Sequence, residues 1–70
     1  MITFQEQLDQ VSKAEDAILS MLDREDRASV LIEEAHKMGF NYDIVRTAVW
    51  FLISDYRVRL TDDKKLMRVI

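Results

Sequence analysis

His36 is the first place to look for catalysis or metal binding, and it is the only histidine. The chain has no cysteine, so His36 has no second strong ligand beside it and the protein has no thiolate nucleophile. Glu33 and Glu34 are adjacent, which on a helix turns them in different directions and prevents them from working as an acid–base pair. A single glycine rules out a glycine-rich phosphate loop, and no nucleophile elbow or zinc-type spacing occurs. Catalysis needs several groups fixed around one cavity, and a chain of 70 residues has little room for one. The residues therefore predict no enzyme, no catalytic or metal-binding residue, no cofactor and no small-molecule substrate.

What remains is the chemistry of contact. Net charge is −3, which opposes binding to a polyanion, but the charges are not evenly spread. Residues 1–35 carry three basic against nine acidic side chains, while residues 36–70 carry seven basic against four acidic. A nucleic-acid binder needs a local basic face, and Arg57, Arg59, Lys64, Lys65 and Arg68 supply one. The same charges also suit a strand edge guarded against aggregation, and Asp62 and Asp63 interrupt them. With 49% hydrophobic and 33% charged residues and no proline, the chain reads as one packed, mostly helical domain over residues 1–70. Without disulfides, its core or a second copy must stabilise it. No apolar run spans a bilayer and no signal peptide pattern opens the chain, so no membrane contact and a cytoplasmic location are expected.

Three helices and a hairpin must position these groups. Thr3 and Glu6 form a capping box, and Phe4, Leu8, Val11, Ile18 and Leu22 then keep one helical face over about residues 4–23. Ser12 and Glu15 form a second possible box, but no glycine or proline enforces a break. Asp23 to Arg27 read as a loop. Leu31, Ile32, Ala35 and Met38 make the face of a second helix, about 28–38, which ends at Gly39, where a left-handed residue is needed. Phe40 is placed to fold back on that last turn, and Asn41 to cap the next helix. The third helix, about 42–55, carries the stripe Val45, Ala48, Val49, Leu52 and Tyr56, widened by Ile44, Phe51 and Ile53. The period then changes to alternation at Arg57–Thr61, and a polar turn leads to Leu66–Ile70, so a hairpin over about 57–70 closes the chain.

The stretch Val45-Arg46-Thr47-Ala48-Val49-Trp50-Phe51-Leu52-Ile53, followed by Arg57-Val58-Arg59-Leu60, resembles the third helix and wing of the winged-helix family. The likeness runs from Arg27 to Val69. Tyr56 departs from it, standing where the family usually turns on a small residue, so either the turn is made differently or Tyr56 plugs the core. The resemblance implies a mainly α fold with a small β-hairpin, a three-helix winged helix-turn-helix. It further implies an outward face on the third helix of Asn41, Asp43, Arg46, Thr47, Trp50 and Ser54. In DNA-binding members that face enters the major groove and the wing touches the backbone. Arg46 would then read guanine, and Arg57, Arg59, Lys64, Lys65 and Arg68 would meet phosphates. A dimer is expected, because one short helix reads few base pairs. Many winged helices use the same surfaces for protein contact instead. Arg46 would then be a solvated arginine paired with Asp43, Trp50 or a helix neighbour. Trp50, about 140° from the apolar stripe at about 100° per residue, would be the contact residue for a protein partner or homodimer. The DNA-binding transcription regulator is the leading expectation, and the interaction or oligomerisation module its alternative.

Overall fold

The structure, a computed structural model, describes residues 4–69. It is a three-helix winged helix-turn-helix arrangement with a β-hairpin. The first helix, α1, spans Phe4–Met21 and passes through Ser12 unbroken. Thr3, half of the expected capping box, lies outside the described residues, as does Ile70. α1 buries Val11, Ala14 and Ile18, a spacing of three and four that keeps one stripe inward. It stops two residues short of the expected end, where the Met21 carbonyl accepts from both Arg24 N–H and Glu25 N–H at 2.9 Å.

The second helix, α2, covers Ala28–Lys37, and the third, α3, covers Tyr42–Ser54. Between them Gly39 adopts φ 109. Its N–H donates to the His36 carbonyl at 2.9 Å, and Phe40 N–H donates to the Ala35 carbonyl at 3.4 Å. These two bonds satisfy carbonyls that the helix end would otherwise leave open. Phe40 packs back against the core, and the side chain of Asn41 accepts from Asp43 N–H at 2.8 Å. Met38 is corrected: expected on the buried face of α2, it is the helix C-cap and is 61% exposed. Met38 lies just past the last residue of α2, where the chain leaves the core, although Ala35 one turn earlier is still fully buried.

α3 ends by the same device without a glycine. Arg57 N–H donates to the Leu52 carbonyl at 2.9 Å, Tyr56 N–H donates to the Ile53 carbonyl at 3.1 Å, and Tyr56 itself takes φ 60. Tyr56 is therefore neither part of the apolar stripe nor a plug for the core. It is 81% exposed, because the left-handed turn carries it out of the helical rotation.

β1 (Val58–Leu60) and β2 (Leu66–Arg68) pair antiparallel, with Val58 opposite Arg68, Arg59 opposite Met67 and Leu60 opposite Leu66. Val58 and Leu66 close the core from below α3. The loop turns on Lys64 N–H donating to the Thr61 carbonyl at 3.0 Å, with Lys64 at φ 63, the left-handed residue that follows a tight turn in three-residue hairpin loops. Arg27, expected in a loop, instead bridges Lys65. Ala28 N–H reaches the Lys64 carbonyl at 3.0 Å and Leu66 N–H reaches the Asp26 carbonyl at 2.7 Å. The entry to α2 thus forms a third edge beside β2 and locks the wing against the N-terminus of α2.

Candidate functional site

Among the described residues every buried side chain is apolar, so the polar chemistry of this protein is carried on its surface. The outer face of α3 is the first part of that surface. Asn41 uses its side-chain oxygen on the helix cap, and Thr47 donates its hydroxyl proton to the Asp43 carbonyl at 2.8 Å. Both side chains are thereby engaged by their own helix. Arg46 lies 3.8 Å from Asp43 and 5.8 Å above the Tyr42 ring, on the solvent side. One turn on, Trp50 is 67% exposed, and Ser54 follows it on the same face.

Beneath Arg46 lies a cluster that sequence reading missed. The His36 and Tyr42 rings stack at 3.9 Å and 14°. His36 Nδ1 is 2.9 Å from the Phe40 carbonyl, a distance that assigns the ring proton to that nitrogen. The Tyr42 hydroxyl donates to Glu33, 3.0 Å from either carboxylate oxygen. That bond holds the Tyr42 hydroxyl's pKa above its ordinary value, with burial adding to it and Arg46 opposing. The only available signal was the Gly39 turn, whose shortness brings the last turn of α2 beside the first of α3.

Trp50 also walls an apolar groove of about 320 Å³. Ala28 and Ile32 of α2, Val49 and Ile53 of α3, and Leu60 of β1 form the rest of its lining, and Arg46 is the only charged group among them. The groove follows from the fold: the Arg27–Lys65 bridge draws the wing toward α2 and leaves Leu60, 48% exposed, facing Trp50 across a gap. On the other flank of α3, Ile44 packs against the core, while Phe51, 42% exposed, lines an open groove with Leu8 and Val11 of α1.

The wing cations divide. Arg59 and Lys64 are exposed and make no side-chain hydrogen bond or ion pair with another described residue. Lys65 is half-buried and 3.8 Å from Asp63. Asp63 in turn accepts from the Thr61 hydroxyl, which holds its pKa below the usual value. Arg57 is exposed beside Glu15 and opposes the upward shift that burial imposes on that carboxyl. Arg68 does not join the others. It turns toward α1, donating to the Leu19 carbonyl and lying 3.4 Å from Asp23. By strand alternation Arg59, Met67, Lys65 and the bridged Arg27 share the outer face of the sheet. Arg27 is held by Glu25, its Nε 2.7 Å and its Nη2 3.1 Å from the two carboxylate oxygens.

Among the described residues no group of three or more histidine, cysteine or acidic side chains is placed to hold a metal ion, and no helix is long and apolar enough to cross a membrane. No family model, curated protein or solved structure matches the chain.

Proposed function

We propose that this chain is a winged-helix protein-interaction module, non-enzymatic and cytoplasmic, that docks a partner in the groove between α2, α3 and the wing. One observation carries the reading: Trp50, at 67% exposure, stands at the lip of a groove whose remaining walls are apolar apart from Arg46. Leaving this much aromatic and aliphatic surface in water costs free energy that a covering partner recovers. Tryptophan is also enriched among the few residues that carry most of the binding energy in protein interfaces. A DNA-reading face calls for side-chain donors, and here the Thr47 hydroxyl is engaged on the helix backbone, while the Asn41 amide N–H groups and Arg46, 3.8 Å from Asp43 in open solvent, stay available. Selection of displayed peptides against the folded chain tests the proposal. Ligands recovered on the wild type should lose binding to Trp50→Ala and keep it on Tyr56→Ala, and ligands indifferent to Trp50 would overturn it.

A second reading, a dimeric DNA-binding regulator, is favoured by Arg59 and Lys64, two exposed cations without a partner among the described residues. It requires saturable binding of duplex DNA that weakens steeply with salt. Lys64→Ala with Lys65→Ala should flatten that salt dependence, and Arg46→Ala should weaken binding to a preferred sequence.

A further inference from the structure

We infer that the occupant of the groove is an acidic amphipathic helix of a partner protein, its apolar side chains seated between Trp50 and Leu60 and its carboxylates reaching Arg46 and Lys64. The inference rests on the docking proposal and adds the chemistry of what docks. Charge complementarity selects the sign. Arg46 is the one charged group in the lining. At the other end, the Lys64 carbonyl bonds the N–H of Ala28, itself a lining residue, which brings the Lys64 backbone to the edge of the groove; its exposed ammonium has no ion pair among the described residues. Of the acids near these two cations, Asp62 is exposed in the same loop as Lys64, and four others are engaged or weakly held. Glu33 accepts from Tyr42, Asp63 from Thr61, and Glu25 clasps Arg27. Asp43 touches Arg46 only across 3.8 Å in open solvent, a pair that gives way to a better-placed carboxylate at little cost.

The shape selects a helix. The exposed edge of β1 is three residues long, too short to bind an extended peptide through a main-chain ladder, so recognition falls to side chains entering the groove. Apolar residues at i, i+3 or i+4 and i+7 of one helix meet such a surface. A second copy of this chain is a poor occupant. Its own acidic helix, α1, buries Val11, Ala14 and Ile18 in its own core, and the face needed for docking is used in folding.

Three synthetic helices titrated into the full chain, followed by Trp50 fluorescence, test this. The first has leucines on one face and glutamates on the other, the second exchanges the glutamates for lysines, and the third keeps the glutamates but replaces the leucines with alanine. The first should bind roughly tenfold tighter than the second at low salt, with the gap narrowing as salt rises. The third should bind poorly. Arg46→Glu with Lys64→Glu, both exposed positions, should reverse the preference while leaving the circular dichroism unchanged. Equal affinity for the first two helices overturns the inference. So does binding of the alanine helix as tight as the leucine helix, which would mark a surface for polyanions such as nucleic acid. Self-association in sedimentation that the acidic helix cannot displace would hand the groove to a second copy. If displayed peptides still require Trp50 but show no acidic bias, the helix chemistry fails and the docking proposal survives. If no ligand requires Trp50, both fail.

Discussion

Tyr56 is where a single residue departs most from what its position prefers. It holds φ 60 at the C-terminal turn of α3 with its ring 81% exposed. A side chain there meets the left-handed penalty that glycine avoids, and so little of the ring is covered that packing offsets little of it. Tyr56→Gly should therefore stabilise the domain by about 1 kcal/mol, read as a rise in Tm of roughly 4–8 °C for a domain of this size. A fall in Tm would mean that the ring makes a stabilising contact. Glu25 gives the residue-scale pH prediction. Hydrogen bonds from the Arg27 side chain, and then from its backbone N–H, bring the Glu25 carboxyl from the ordinary 4.5 down to about 2. A depressed carboxyl stabilises the fold above its unfolded pKa and loses that contribution as pH falls through the folded one. Urea midpoints of wild type and Glu25→Gln should differ most above about pH 4.5 and converge as pH drops toward 2. A gap that persists at pH 2 would place the stabilisation elsewhere. The expected outward face of α3 was legible because helical spacing alone separates Arg46 and Trp50 from Val45, Ala48 and Leu52. Arg68 was not: its attachment to Leu19 and Asp23 spans most of the chain, and local pattern carries no trace of it.

At the scale of elements, the helix-turn-helix depends on one glycine. A Cβ added at Gly39 would meet nothing within 4 Å, yet the residue sits at φ 109. The obstacle to a side chain is the backbone conformation alone. Gly39→Ala should cost about 1 kcal/mol or more through conformation rather than crowding, measured by chemical denaturation. A neutral result would show that the turn relaxes into a different geometry. That turn and the Asn41 cap were readable because both are local chemistry: a glycine, a hydrophobic residue and an asparagine in consecutive positions. The third edge of the sheet was invisible for the opposite reason. A single bridged residue, Arg27 with Lys65, has no alternation to read, and the charges of Asp23–Arg27 look like those of a solvent-exposed loop. Missing that bridge meant missing the groove, since it is the bridge that brings Leu60 toward α2. The hairpin was found from its alternation, but its paired residues are the shorter runs Val58–Leu60 and Leu66–Arg68.

For the whole molecule, apolar residues do two separate jobs, and mutation should tell them apart. The core draws on every element: Ile18 from α1, Leu31 from α2, Leu52 from α3, Val58 and Leu66 from the hairpin. A domain of this length has a stability of roughly 4–10 kcal/mol. Leu31→Ala, at a position with no solvent exposure, should cost about 2–5 kcal/mol through lost burial and the cavity left behind, enough to bring unfolding near ambient temperature. Trp50 is larger, yet most of its surface is already in water in the isolated chain. Trp50→Ala should accordingly shift the urea midpoint far less than Leu31→Ala while abolishing binding of the acidic helix. The inverse pattern is equally readable. If Trp50→Ala unfolds the domain, the ring is a structural cover for Val49 and Ile53 and its exposure is incidental. If the domain stays folded and loses its ligand, the tryptophan is held outside the core for a partner, and the groove built by the bridge between wing and α2 is what the fold presents.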